Sequence, residues 1–243
     1  HSFGECKRNF QLLDGPCISL DGVNQYGVIT NTDDFSGSDW EVEVYVSPAS
    51  VTGGMHCILA QASGSGSGTN WLFLSSPSGL LGIGSGGSAV NFSGLTALNT
   101  SDDYRITLTK TGTSYVAVLD NLTDGTSETS GAALLSMSSA NGDLIVGGDL
   151  VSSNVFEGAI YGIHLNHANG FNCPASDEVA TISRDKTGNV KDITWQNSPS
   201  VGVQQNFFES ESNGFSLYEH ASSADILVPL KSDGTALTIT PPT

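Results

Sequence analysis

The seven residues Trp40-Glu-Val-Glu-Val-Tyr-Val46 constrain this chain more than any others, because apolar and polar side chains alternate strictly through them and Pro48 then ends the run. A period of two belongs to a β-strand, so Trp40, Val42, Val44 and Val46 share one face while Glu41, Glu43 and Tyr45 share the other. A strand with one apolar and one polar face belongs to an antiparallel sheet that is packed on one side only.

The rest of the sequence repeats the theme in short pieces. Cys17–Thr30 reads as strand, turn, strand, with Asp21-Gly22 as the turn dipeptide. Met55–Ala62, Trp71–Leu74 and Leu80–Ile83 are strands around the Gly/Ser loop 63–68 and a Ser-Pro turn. Tyr104–Thr109 and Ser114–Leu119 predict a hairpin over Thr111-Gly112, and Leu144–Val146 and Ala159–Leu165 follow. No stretch carries a convincing helical period, although Gly131–Ser139 leaves room for a turn or two. No internal repeat is present. The predicted fold is all-β, an antiparallel two-sheet sandwich over residues 14–168. Residues 1–13 read as an N-terminal arm. From residue 169 the texture changes at Ala168-Asn-Gly-Phe-Asn-Cys-Pro174, and the apolar islands become short: Ile193–Trp195, Phe207-Phe208, Phe215–Tyr218 and Ile226–Leu230. This predicts a small, mostly irregular or β C-terminal appendage over 169–243, packed on the sandwich or on neighbouring subunits.

Charge narrows the partners. Twenty-five acidic residues against eight basic ones give a formal net charge of −17. Such a field repels phosphate backbones, so nucleic acid is not an expected partner. No apolar run approaches the roughly eighteen residues a membrane-spanning helix needs, so membrane insertion is not expected either. The sequence begins at His1 without a signal-like apolar stretch, which fits a cleaved leader and a trimmed initiator Met alike. The four cysteines, Cys6, Cys17, Cys57 and Cys173, show no zinc-type spacing. They allow two disulfides in any of three pairings, while Cys57, inside an apolar run, also reads as a buried thiol.

Four segments resemble a known family in the family's own order. Ile18-Ser-Leu-Asp-Gly-Val-Asn-Gln-Tyr26 resembles the opening strand pair of concanavalin A-like, laminin G-like domains, and Asp39–Pro48 resembles the strand that follows. Tyr104–Thr109 with Ser114–Asp120 resembles the family's central hairpin. Leu144–Gly148 with Phe156–Leu165 resembles its closing strands. Beyond them, Ser183-Arg-Asp-Lys-Thr-Gly-Asn-Val-Lys-Asp-Ile-Thr-Trp195 resembles a degraded form of a segment found after the last strand in bacteriophage and marine-microbe members. The chain departs from the pattern at Asp103-Tyr104, where the family has Trp-His, and at Asp120-Asn121, where it has Asp-Gly. The resemblance implies a jelly roll whose first and last strands are neighbours. It thereby implies that Cys17 or Cys6 lies near Cys173.

A search for chemistry assigns no catalytic residue, no metal ligand and no defined ligand site. Retaining glycosidases on sandwich folds need two carboxylates about 5–5.5 Å apart, and no acid-rich strand of that kind occurs. Glu41 and Glu43 share a face that reads as solvated. His1, His56, His164, His167 and His220 are scattered, with His164 and His167 expected on opposite faces. Gly82-Ile-Gly-Ser-Gly-Gly87 fits a phosphate-loop spacing, but the strand-like Ser88–Phe92 follows where a helix is required. Ca2+ is the cofactor left open, with Asp120, Asp124, Asp143, and Asp149 beside Asn154, as carboxylates near turns. Trp71 and Tyr161 are available to stack on sugar rings. Three glycosylation sequons stand at Asn91, Asn99 and Asn121.

The expectation is therefore a non-catalytic structural or adhesive protein on a virion surface, as a capsid decoration, fibre or tail component. Its expected partners are other virion proteins, copies of itself and cell-surface glycans. The alternative is a secreted lectin-like carbohydrate-binding module, with a polysaccharide hydrolase or lyase behind it.

Overall fold

The computed structural model describes residues 15–31, 33–62, 68–75, 78–149, 154–175, 182–187, 189, 191–204, 215–218 and 228–231. Among these residues there is no helix. The first half of the chain gives β1 (Gly15–Asp21), β2 (Tyr26–Ile29), β3 (Trp40–Pro48), β4 (His56–Ala62), β5 (Gly68–Ser75), β6 (Leu80–Ser85) and β7 (Ser88–Asn91). The central part gives β8 (Tyr104–Thr111), β9 (Ser114–Asn121), β10 (Thr126–Thr129), β11 (Ala133–Leu134), β12 (Leu144–Val146) and β13 (Glu157–Asn166). After it come β14 (Phe171–Pro174), β15 (Ile182–Ser183), β16 (Ile193–Gln196), β17 (Ser200–Gln204), β18 (Phe215–Tyr218) and β19 (Val228–Lys231).

The strands form two large sheets. One runs β10-β9-β8-β3-β13-β1-β17, with β11 added to β9 and β14 to β13; the other runs β15-β16-β2-β12-β4-β5-β6-β7. The alternation read in β3 holds. Val42, Val44 and Val46 are buried at 1% exposure or less, Trp40 packs against the same core, and Glu41 and Glu43 lie on the other face, half-buried. Facing them across the core are Leu72, Leu81, Ile83, Leu144 and Val146 of the second sheet. The central hairpin turns where expected: Thr111 pairs with Ser114, and Gly112 takes a φ of 59°. Its missing Cβ makes that left-handed corner cheap. The Gly82–Gly87 run is likewise a hairpin, with Ser85 paired to Ser88.

One expectation needs correction. Gly131–Ser139 holds no helical turn; it lies extended and contributes β11 against Tyr115 and Ser114. Past residue 168 the chain goes on adding strands. β14, β15 and β16 extend the two sheets, and the chain divides at Gly202, into a unit His1–Gly202 and a unit Val203–Thr243. The cause is Trp195, which is 5% exposed and packs opposite Gly27 of β2. A Cβ on Gly27 would lie 2.4 Å from Ile193 Cγ2 and 3.0 Å from the Trp195 ring, so the glycine makes the seat for this hairpin. The second unit's described residues form the two-stranded sheet β18–β19. The arm expected over 1–13 lies outside the described residues.

First and last strands are neighbours, as the resemblance implied: β1 pairs with β13, Ile18 opposite Ile160. The cysteine bridge does not follow. Cys17, Cys57 and Cys173 are buried thiols. Cys173 sits opposite Ile163 in the core, whereas Cys17 precedes the core residue Ile18 and so faces outward. Two side chains on opposite faces of one sheet cannot meet the geometry of a disulfide. A Cys6–Cys173 pairing lies outside the described residues.

Candidate functional site

One end of the sandwich gathers a connected cluster of polar side chains. β2 runs out into Asn31, Asp33, Asp34 and Phe35; the segment before β12 brings Ser139 and Asp143; the turn after β13 brings His167 and Asn169; the approach to β16 brings Lys191. Lys191 is one of only eight basic residues. Its Nζ lies 2.6 Å from Asp33 Oδ2 and 2.6 Å from Asn31 Oδ1. Asn31, 4% exposed, is held on every side: its amide N–H donates to Asp143 Oδ1 at 3.0 Å, and its Nδ2 donates to the carbonyls of Asp33 and Gly142. Asn169 Nδ2 donates to Asp33 Oδ1 at 3.1 Å, and Gln61 Nε2 donates to the Asp33 carbonyl at 2.7 Å.

Asp34 shows what the acids do here. Burial raises its carboxyl, but bonds from the Ser139 and Ser36 side chains and from the Ser36 and Ala140 amides outweigh it and hold the group at about 2. Beneath this rim lies an apolar cavity of about 50 Å³ between the sheets, walled by Phe35, Trp40, Leu72, Met137, Leu165 and Phe171 among others. Phe35 stands edge-on to His167 at 5.2 Å, and its carbonyl accepts the Trp40 indole N–H.

The other acids shape their own loops in the same way. Asp185 accepts the amides of Asn172, Thr187 and Lys191, and Asp192 accepts the Asp185 amide and the Arg184 guanidinium. These bonds build the β15–β16 turn from the segment that resembles the phage-protein motif. Asp102, 9% exposed, accepts bonds from Asn99, Asn121 and Tyr104 at a single oxygen.

The sequence-derived candidates do not converge. Asp120 is forked by Arg105 through Nε and Nη2, both at 2.7 Å. Asp124 accepts from Asn121, Asp143 holds Asn31, and Asp149 accepts from Asn154. Among the described residues no three of His, Cys, Asp and Glu group together as a metal site would require. His164 lies half-buried in β13, and His167 lies beyond its end. Both ring nitrogens of buried His56 face carbonyls, those of Val155 and Thr52. Tyr161 is the extra residue of a bulge in β13, half-buried; burial, then Asp103 and Cys17, push its phenol up. The Trp71 side chain, His1 and His220 lie outside the described residues. Sequence reasoning missed Asn31, Asp33, Asp34 and Lys191, although Asn31-Thr-Asp-Asp34 just past a strand, and a basic residue in so acidic a chain, were visible signals.

No family model and no curated protein sequence matches this chain. Solved structures do. A putative carbohydrate binding protein from Bacteroides ovatus superposes with a TM-score of 0.57 at 12% identity, over 79% of this chain and 61% of that one. The laminin alpha1 chain of mouse, domains LG4-5, matches with a TM-score of 0.45 at 14% identity, over 66% of this chain and 43% of that one. A tailspike protein of bacteriophage CBA120 matches with a TM-score of 0.42 at 14% identity, over 61% of this chain and 24% of that one. Together with the two antiparallel sheets and the adjacent first and last strands, the Bacteroides superposition identifies the fold as a concanavalin A-like, laminin G-like jelly roll.

Proposed function

We propose that this chain is a non-catalytic structural and adhesive module on the exterior of a virion, and that it contacts glycans. The observation that carries the reading is the use made of the carboxylates. Asp21, Asp34, Glu128, Asp185 and Asp192 all sit below the ordinary carboxylate range, and each accepts bonds from amides or hydroxyls of its own turn or of a neighbouring loop. Glycoside cleavage needs the opposite, a carboxyl kept protonated near neutral pH beside a second one. Acids spent on bracing loops suit a rigid exterior surface. The resemblance of the Ser183–Trp195 hairpin to phage-protein segments supports the virion location. The superposed Bacteroides protein, described as a putative carbohydrate binding protein, supports a glycan as the surface partner and favours the second reading, a secreted lectin-like module.

The test is a glycan array probed with the purified chain, with and without Ca2+, beside a reducing-end assay on every polysaccharide that binds. Binding without turnover is expected. Turnover abolished by substituting one Asp or Glu would make the chain an enzyme. Peptides of this chain in purified, nuclease-treated particles would separate the virion reading from the secreted one.

A further inference from the structure

We propose that Lys191 and Asn31 are the two ends of an intramolecular isopeptide bond. The strand register brings them together. Thr194 pairs with Val28 in the antiparallel β16–β2 ladder, and continuing that register outward by three positions sets Lys191 opposite Asn31. Ile29 and Ile193 one step inside are core residues, so parity turns both side chains to the same inner face. The Nζ lies 2.6 Å from Asn31 Oδ1, and only 12% of the Lys191 side chain is exposed.

An ordinary buried lysine pairs with carboxylates; this one has a carboxamide as its second acceptor. That carboxamide is immobilised, because both its neighbouring carbonyls, of Asp33 and Gly142, receive its Nδ2 and Asp143 receives its backbone amide. The third requirement, a proton acceptor, is Asp33 Oδ2, 2.6 Å from the same Nζ and kept in place by Asn169 on its other oxygen. A desolvated amine is a competent nucleophile once deprotonated, and a fixed pair reacts as if at effective concentrations on the order of 10⁵ M or more.

The step balances without an added reagent. Asp33 takes a proton from the Lys191 ammonium, and the Nζ lone pair forms a bond to Asn31 Cγ. The Cγ–Nδ2 bond then breaks as Nδ2 accepts the proton from Asp33 and the surplus proton of Nζ. Ammonium leaves, and a secondary amide remains. Nothing is oxidised or reduced. The bond would clamp two positions 160 residues apart, fixing the β15–β16 hairpin to the end of β2.

The experiment is intact-mass spectrometry of the folded 243-residue chain after prolonged incubation, followed by tandem sequencing of its peptides. The expected result is a chain lighter than its sequence mass by one ammonia, with a branched peptide joining Asn31 to Lys191. Lys191→Arg keeps the charge and the reach to Asp33 but cannot be acylated in this way, and should restore the full mass. Asp33→Asn should also block the bond while leaving the chain folded, as read by circular dichroism. A folded wild-type chain at full mass, or without the branched peptide, overturns the proposal. So does a loss of ammonia that persists in Lys191→Arg, and so does a loss of water mapped to Lys191 and Asp33.

Discussion

The β3–β8 pair lies in the middle of one sheet and the β15–β16 hairpin at the edge of the other, and they are held by different forces. In β3 and β8 the inward residues are apolar apart from the buried Lys110, and Val42 and Val44 lie opposite Leu108 and Ile106 in register. Their order comes from burial, at about 25 cal/mol for each Å² of apolar surface removed from water. The hairpin has only Ile193 and Trp195 in the core, and its turn is set by Asp185 and Asp192 accepting backbone amides. Periodicity announces the first kind of order. The second is written in turn residues that look like a loop until a partner strand is known.

The strongest way to break the comparison is Val44→Asp. It places an unpaired carboxylate at a 1% exposed position, and a loss of more than about 4 kcal/mol is expected, read as failure to fold or a collapse of the denaturation midpoint. Trp195→Ala should cost about 3–5 kcal/mol if the hairpin belongs to the cooperative core, lowering the midpoint of the whole first unit. Fast hydrogen exchange confined to 182–196, with the midpoint unchanged, would instead make the hairpin a separable layer. Gly27→Ala drives a methyl against Ile193 and Trp195 and should cost about 1–3 kcal/mol, measured by urea melts.

Acid should act on the polar turns before the apolar strands. The Asp34 carboxyl is lowered from 3.8 to about 2, so its contribution is fully present above pH 3.8 and is lost as pH falls through about 2. The directions at Asp21, Asp185 and Asp192 have the same sign. A pH series of melts should therefore fall below pH 4, with exchange rising first around 31–36 and 184–192. The smallest effect is expected at Arg105→Ala, where the fork to Asp120 is partly open to solvent and about 0–1 kcal/mol is at stake, within reach of a double-mutant cycle with Asp120→Ala.

How far the sequence could be read follows the same division. The faces of β3, the turn at Gly112 and the adjacency of β1 and β13 were legible, the first two from period and turn chemistry, the third from the resemblance. The bulge at Tyr161 was not. Simple alternation would place Ile160 and Ile163 on opposite faces, and one extra residue in the ladder returns both to the core. The candidate site was legible only as scattered carboxylates. The four acids chosen near turns each brace a separate contact, and only Asp143, which accepts the Asn31 amide, belongs to the polar cluster at the sandwich end.

By itself the sequence determined an acidic, antiparallel all-β sandwich, because strand period, turn chemistry and charge are local properties that each residue expresses without knowing its partners. The tertiary structure decided that β14 to β17 join the two sheets and that Cys17 and Cys173 point to opposite faces. It also decided that Asn31 meets Lys191 across 160 positions. Those outcomes depend on which strand docks beside which and in what register, and register is fixed by long-range packing, such as Trp195 over Gly27, that no local pattern encodes.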